Sequence, residues 1–139
     1  MLEIIPGITA YIVDQKLKKE VESDRFISNK FTRHHNYGFA SNLGAGQPKL
    51  VKVVSVLLSI WASALFVISF TFAGARMLRC GLALLLGGAY SNTYDRVKKG
   101  YVIDYLQLPY GPKFIKRLIW NVGDFAIIIG ALICVIGGN

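Results

Sequence analysis

"VVSVLLSIWASALFVISFTFAGA", residues 53–75, is the stretch that decides the fold class of this chain. Its 23 residues include no charged side chain, and as a helix they are long enough to cross the roughly 30 Å hydrocarbon core of a bilayer. The run lies in the middle of the chain, so it does not have the position of a cleaved leader. We therefore expect an integral membrane protein.

Three weaker apolar stretches accompany this run. Residues 80–94 are uncharged, residues 118–138 contain Asp124 as their one charged residue, and residues 4–13 are uncharged but short. By itself the last stretch would be typical of a signal-like or interfacial segment. Together they predict an all-α membrane protein, a single domain over residues 1–139. Its four transmembrane helices are expected near residues 2–18, 53–74, 78–95 and 116–137.

The composition excludes an ordinary soluble domain. Hydrophobic residues make up 53% of the chain, charged residues 17%, and the mean hydropathy is +0.44. A net charge of +8 would suggest nucleic acid in a soluble protein, but no basic stripe alternates with aromatic residues. We expect the cations to lie near anionic lipid headgroups, with membrane lipid and not nucleic acid as the partner.

The residues that could ligate a metal are few and scattered. Cys80 and Cys134 fall inside apolar runs, where cysteine packs as a small hydrophobic residue. His34 and His35 have no further histidine or cysteine at ligand spacing. We expect neither a metal nor another cofactor.

Two long polar regions, residues 16–52 and 95–113, lie on the same membrane face in this topology because two helices separate them. The first has turn signals and short alternations that predict an extracytoplasmic, β-rich cradle at about residues 24–50, between helices 1 and 2. Of the 16 lysines and arginines, only Arg76 and Arg79 lie in the short turn on the opposite face. Counting positive charges would therefore place the long loops in the cytoplasm.

Carboxylates within or beside membrane spans are costly and usually functional. Asp124 lies in the last apolar run, and Asp95 and Asp104 follow the third. Asn121 and Asn92 each precede one of these aspartates by three residues, a spacing that predicts one shared helix face. Two carboxylates in a poorly solvated site share one proton, so one can deprotonate a water while the other protonates a carbonyl oxygen.

Simple ion pairing is the alternative interpretation of the acidic residues. Asp14 would pair with Lys18 four residues on, Asp95 with Arg96 or Lys99, and Asp104 with Lys98. Asp124 has no cation nearby in sequence, so pairing explains it least well.

The motifs resemble those of lipoprotein signal peptidase, the signal peptidase II family of bacterial membranes. The family pattern G-x-x-x-N-x-x-D-R, followed by V-[VI]-D-[FY], is present as "GAYSNTYDRVKKGYVIDYL". The pattern F-N-x-A-D-x-x-[IV]-x-x-G is matched by "WNVGDFAIIIG", and D-Q-x-x-K by "DQKLK". The order and spacing of these motifs extend through almost the whole chain.

This resemblance implies an aspartic endopeptidase that removes signal peptides from diacylglyceryl-modified prolipoproteins, just before the lipidated cysteine, and that globomycin inhibits. Asp104 and Asp124 would be the catalytic pair. The residues expected to bind substrate or to support that pair are Asn36, Asn92, Arg96, Asn121, Asp14, Lys18 and Asp95. Within this group, Asn92 and Asn121 would orient the pair, Asn36 and Arg96 would contact substrate, and Asp95 would pair within its own turn. The protein would be a multi-pass monomer of the bacterial inner membrane, with its site toward the outer face.

The sequence also departs from the family pattern. The N-x-G-x-A-[FW] motif is present only as "NYGFAS", Trp120 replaces the usual phenylalanine, Gly123 replaces alanine, and the first helix is short. These departures leave open an inactive relative that still binds signal peptides. A non-enzymatic carrier or assembly factor that uses Asp124 as a proton relay is the other alternative.

Overall fold

The structure, a computed structural model, describes residues 2–23 and 31–138. Within these ranges it is mostly helical with one small sheet. The helices are α1 (Ile5–Glu22), α2 (Pro48–Ile68), α3 (Arg76–Lys98), α4 (Lys113–Lys116) and α5 (Val122–Gly137), and the strands are β1 (Phe31–Asn36), β2 (Val102–Gln107) and β3 (Ile119–Trp120). Short 3-10 turns cover Leu2–Ile4, Ala40–Asn42 and Ser69–Thr71.

Local sequence explains the helix ends. A proline lies in the first turn of both α1 and α2, where its missing N–H costs no intrahelical hydrogen bond. Asn121 caps the start of α5, since its side chain accepts from the backbone N–H of Asp124. A tight turn with Gly74 at φ +75° joins the end of the second helical region to α3.

The helix boundaries differ from the predicted spans mainly at the chain's two ends. Helix α1 continues to Glu22 instead of ending near residue 18, so the first helix has 18 residues. Helix α5 begins at residue 122 and not near 116, because α4 and β3 occupy the residues before it. The helical region of the second predicted span begins at Pro48, and that of the third ends at Lys98.

Helix α3 is the centre of the helical packing and contacts α1, α2 and α5. Glycines allow these helices to approach closely. A Cβ at Gly87 would collide with the backbone of Gly7 on α1, and one at Gly88 would collide with the backbone of Gly123 on α5. Small residues at helix contacts are typical of membrane proteins, in which close packing replaces the hydrophobic effect between helices.

Among the described residues, one helical region is both long and apolar enough to cross a membrane. It covers Pro48–Thr71 and contains an 18-residue window with a mean hydropathy of 2.3, and it leaves large side chains such as Leu57 and Trp61 exposed. Helix α5 is also apolar but has only 16 residues. The four-span arrangement is therefore still a prediction.

The sheet has the strand order β1-β2-β3 and is antiparallel throughout. Asn36 lies opposite Val102 and His34 opposite Asp104, so β1 and β2 bring the two polar regions to one end of the helices. The β-rich segment predicted at residues 24–50 falls in part on residues 24–30, which lie outside the described residues. Among the residues described there, only β1 is a strand, and the other two strands come from later loops.

Candidate active site

A cavity of about 610 Å³ lies between α2, α3 and α5 and reaches the sheet. Its walls along the helices are mostly apolar, with Leu65, Leu82 and Cys134 at the end far from the sheet. Its polar lining residues gather near the sheet, and the main ones are Asn36, Asn92, Arg96, Asp104 and Asp124. The topology thus brings five of the predicted site residues to one end of a single cavity.

Asp104 is the carboxylate that the sheet contributes. It lies on β2 with 2% of its surface exposed. The side-chain amide of Asn36 donates to its Oδ2 at 2.9 Å, and that of Asn121 donates to its Oδ1 at 2.7 Å. Burial, together with the negative charge of Asp124, raises the pKa of Asp104 to about 7. The group is therefore able to hold a proton near neutral pH.

Asp124 is the carboxylate that α5 contributes, and it lies in the first turn of that helix. Its backbone N–H donates to Asn121 Oδ1 at 2.8 Å, and its own Oδ2 accepts from the Asn121 backbone N–H at 3.1 Å. The Nδ2 of Asn92 donates to Asp124 Oδ1 at 2.9 Å. The predicted shared helix face for Asn121 and Asp124 was wrong, because Asn121 precedes the helix and the two residues form a capping box.

Asn121 is the residue that connects the two carboxylates. Its side-chain NH₂ group binds Asp104, its side-chain oxygen caps α5, and its backbone N–H binds Asp124. The residue is fully buried, so water does not compete for these hydrogen bonds. Both carboxylates are consequently fixed against the same cavity by one asparagine.

Comparison with known proteins assigns the family. The sequence profile described as signal peptidase (SPase) II matches residues 5–138. The chain belongs to the signal peptidase II family. Over 132 residues it is 30% identical to a lipoprotein signal peptidase of Psychromonas ingrahamii, covering 92% of this chain and 74% of that relative. Over 113 residues it is 34% identical to one of Alteromonas mediterranea, covering 76% of this chain but only 58% of that relative.

A solved structure described as a bacterial membrane enzyme, determined by the in meso method, has the same fold. The TM-score is 0.75 at 22% sequence identity, and the match covers 97% of this chain and 85% of the other. The predicted resemblance to the signal peptidase II family is confirmed.

Behind the site of the present signal peptidase II chain lies a buried ionic cluster, formed by Asp14, Lys18 and Asp95. The Lys18 ammonium lies 2.7 Å from Asp14 Oδ2 and 3.0 Å from Asp95 Oδ2, and all three side chains are almost fully buried. It also donates to Asn92 Oδ1 at 2.8 Å. The predicted pair of Asp14 with Lys18 is present. The predicted pair of Asp95 with Lys99 in its own turn is also present, at 3.8 Å, but the closer cation to Asp95 is Lys18 on α1.

Asn36 and Arg96, the predicted substrate contacts, bind within the protein. The Nδ2 of Asn36 donates to Asp104 and also to the Phe39 carbonyl, at 2.9 Å each. Arg96 donates to the carbonyl of Gly38 at 2.8 Å, and its guanidinium lies 5.8 Å from the Phe39 ring centre. The loop with the altered "NYGFAS" motif is thereby connected to the cavity wall.

Neither His34 nor His35 is among the residues that line the cavity. His34 contacts the side chain of Asn42 at 3.1 Å, and His35 stacks on Tyr101 with 4.1 Å between ring centres. In the part of the chain that the structure describes, no group of three histidine, cysteine or acidic side chains could hold a metal ion.

Sequence reasoning missed Ser91, Gln15 and Tyr105. Ser91 donates to Asp14, and Gln15 donates to Ser91 and to Asp95 at 3.3 Å. Gln15 and Ser91 lie within or beside the quoted motifs, and their polarity inside apolar surroundings is the signal that could have found them. Tyr105 follows Asp104 directly, yet its sequence neighbourhood does not predict its partner on α1.

Proposed function

We propose that this chain is a membrane aspartic endopeptidase that removes signal peptides from diacylglyceryl-modified prolipoproteins, cleaving before the lipidated cysteine. The observation that carries the proposal is the connection of Asp104 and Asp124 through Asn121 at the polar end of an otherwise apolar cavity. Peptide hydrolysis by an aspartic mechanism requires two carboxylates that share one proton.

The roles of the two aspartates follow from their surroundings. Asp104, whose pKa burial raises to about 7, holds the shared proton and gives it to the scissile carbonyl oxygen. Asp124 takes a proton from the attacking water, whose oxygen bonds to the carbonyl carbon. When the C–N bond of the tetrahedral intermediate breaks, the amine leaves with the proton held by Asp124. A hydroxyl of the intermediate returns a proton to Asp104.

The cavity accommodates the substrate in this proposal. The apolar part of the signal peptide and the acyl chains lie against the helical walls, where residues such as Leu58, Leu65 and Leu82 supply apolar surface. Arg96 and Asn36, at the polar end, bind the peptide backbone near the cleavage point. Because the substrate is held by a membrane anchor, it reaches the site by diffusing within the bilayer.

We further propose four spans in the bacterial inner membrane, with the sheet and the active site at the outer face and the protein a monomer. Support comes from the grouping of all three strands at one end of the helices and from the exposed apolar side chains along α1, α2 and α5. The count of positive loop charges favours the opposite orientation, so this part of the proposal needs its own test.

The experiment is cleavage of a purified prolipoprotein in detergent with a chelator present, followed by mass measurement of both products. The proposal expects a free signal peptide and a mature fragment that begins with the lipidated cysteine. An otherwise identical precursor without the diacylglyceryl group is the matched control and should be cut poorly. If the protein binds the precursor without cutting it, it is a signal-peptide-binding relative. If it neither binds nor cuts the precursor, the carrier interpretation is favoured.

A further inference from the structure

We infer that Tyr105 is a positioning residue for the catalytic pair, acting through its hydroxyl group. This inference rests on the proposed peptidase function. Tyr105 is fully buried on β2, beside Asp104 in sequence, and it is absent from the cavity lining. Its ring packs among Val21 and Ile103, so the aromatic part is held by apolar contacts.

The hydroxyl of Tyr105 joins two elements that the sheet alone does not connect. It donates to Asp14 Oδ1 on α1 at 2.8 Å, and it accepts from the backbone N–H of Val122 at 3.1 Å. Val122 is the first residue of α5, and the N–H groups of a helix's first turn have no partner within the helix. Tyr105 therefore satisfies one of these donors and fixes the start of α5 relative to α1.

The start of α5 is the part of the helix that determines where Asp124 lies. Asn121, directly before Val122, binds both carboxylates, and Asp124 follows two residues after Val122. A shift of this turn would move Asp124 relative to Asp104, which lies on the same strand as Tyr105. Small misplacements of reacting groups reduce rate strongly, while substrate binding to the apolar walls is unaffected.

The buried cluster gives the tyrosine hydroxyl a fixed direction. Asp14 Oδ2 already accepts from Ser91 and lies 2.7 Å from the Lys18 ammonium, which leaves Oδ1 for Tyr105. Because the single hydroxyl proton is used on Asp14, the hydroxyl oxygen is free to accept from Val122. Phenylalanine has the same ring and lacks both hydrogen bonds, so Tyr105→Phe isolates the effect of the hydroxyl.

The experiment compares Tyr105→Phe with Tyr101→Phe for cleavage of the prolipoprotein. Tyr101 also donates its hydroxyl to a carboxylate, Glu22 at 3.3 Å, but that contact lies outside the cavity. We expect Tyr105→Phe to lower kcat about tenfold with KM nearly unchanged, a pattern that follows when only catalytic geometry is lost. Tyr101→Phe should leave both kcat and KM unchanged. A kcat equal to that of the wild type in Tyr105→Phe, or a loss expressed in KM, would overturn the inference.

A second variant covers the case in which Tyr105→Phe does not fold. Replacing Val122 by its α-hydroxy acid turns one backbone amide into an ester and removes the N–H without adding bulk. The same loss in kcat is expected, and an unchanged kcat overturns the inference. If the wild type and Tyr101→Phe both fail to cleave, the proposed function has failed, an outcome distinct from the failure of Tyr105 as a positioning residue.

Discussion

Asn92 of α3 donates a hydrogen bond of 2.9 Å to Asp124 of α5, and the oxygen of the same amide accepts from Lys18 of α1 at 2.8 Å. An ammonium group only donates, so Lys18 fixes the Asn92 side chain with its NH₂ group toward Asp124. The direction of one carboxylate in the candidate pair is therefore set by a buried cation on another helix.

Asn92→Ala tests this relationship. A hydrogen bond to a charged group contributes about 1.5–3 kcal/mol, so we expect signal-peptide release to slow about 10- to 100-fold. Gln107→Ala is the control, because it removes an exposed side-chain amide that donates to the Lys116 carbonyl outside the cavity. A cleavage rate equal to that of the wild type in folded Asn92→Ala protein would show that Asn92 does not orient Asp124.

Lys18→Met tests the ionic cluster as a determinant of stability. The change leaves Asp14 and Asp95 buried without their shared cation, and removing one partner of a buried ion pair costs about 3–5 kcal/mol. We expect a clear fall in the free energy of unfolding, measured in detergent micelles. Lys19→Met, which removes an exposed lysine of the same helix, should change it little. An equal free energy of unfolding in the two variants would contradict a stabilising role for the ionic cluster.

The protonation of Asp104 predicts a pH dependence. Its pKa rises from 3.8 to about 7 through burial and the charge of Asp124, so the folded protein binds this proton more tightly than the unfolded chain does. The resulting stabilisation is complete below about pH 3.8 and is lost as the pH rises through about 7. We expect the unfolding temperature to fall over this interval more in the wild type than in Asp104→Asn.

The cleavage rate should also depend on whether Asp104 carries its proton. The rate should decline on the alkaline side with an apparent pKa near 7, because Asp104 then no longer holds the proton for the carbonyl oxygen. A rate that keeps increasing well above this pH, or identical stability profiles in the wild type and Asp104→Asn, would contradict this assignment.

Membrane orientation is tested by labelling single cysteines. Gly46 and Lys113 are exposed and flank the sheet in the two polar regions. In a background without Cys80 and Cys134, an impermeant thiol reagent added to intact cells should modify cysteine at either position. Arg76→Cys, in the turn at the opposite end, should react only after the membrane is opened. Modification of Gly46→Cys or Lys113→Cys only from the cytoplasm would reverse the proposed orientation.

The sequence predicted the family because its motifs have a fixed spacing, and five of the candidate site residues in those motifs line one cavity. Helical spacing also predicted the pair of Asp14 with Lys18, a contact between residues four apart. Asp95 does pair with Lys99 in its own turn, as predicted, but its closest cation is Lys18, 77 positions earlier. Residue spacing within one helix cannot predict such a long-range pair, because the pair depends on how closely α1 and α3 approach each other.

The same limit applies to the sheet. The turn signals before α2 predicted strands there, but β1 finds its partner in β2, beyond two intervening helices. Asn121 was expected inside a helix because the apolar run begins before it. Its actual role as an N-cap depends on β3, a strand of two residues whose pairing with β2 holds the chain extended up to that point.

Cleavage by Asp104→Asn and Asp124→Asn proteins, measured on a diacylglyceryl-modified prolipoprotein with a chelator present, tests the central claim most directly. An amide cannot exchange the required proton, so each change should slow cleavage about 10²–10⁴-fold, on the order of 3–5 kcal/mol of barrier. Asp95→Asn should reduce activity less and stability more, and Glu22→Gln, outside the cavity, should keep activity. Cleavage near the wild-type rate by folded Asp104→Asn or Asp124→Asn protein would contradict the aspartic mechanism.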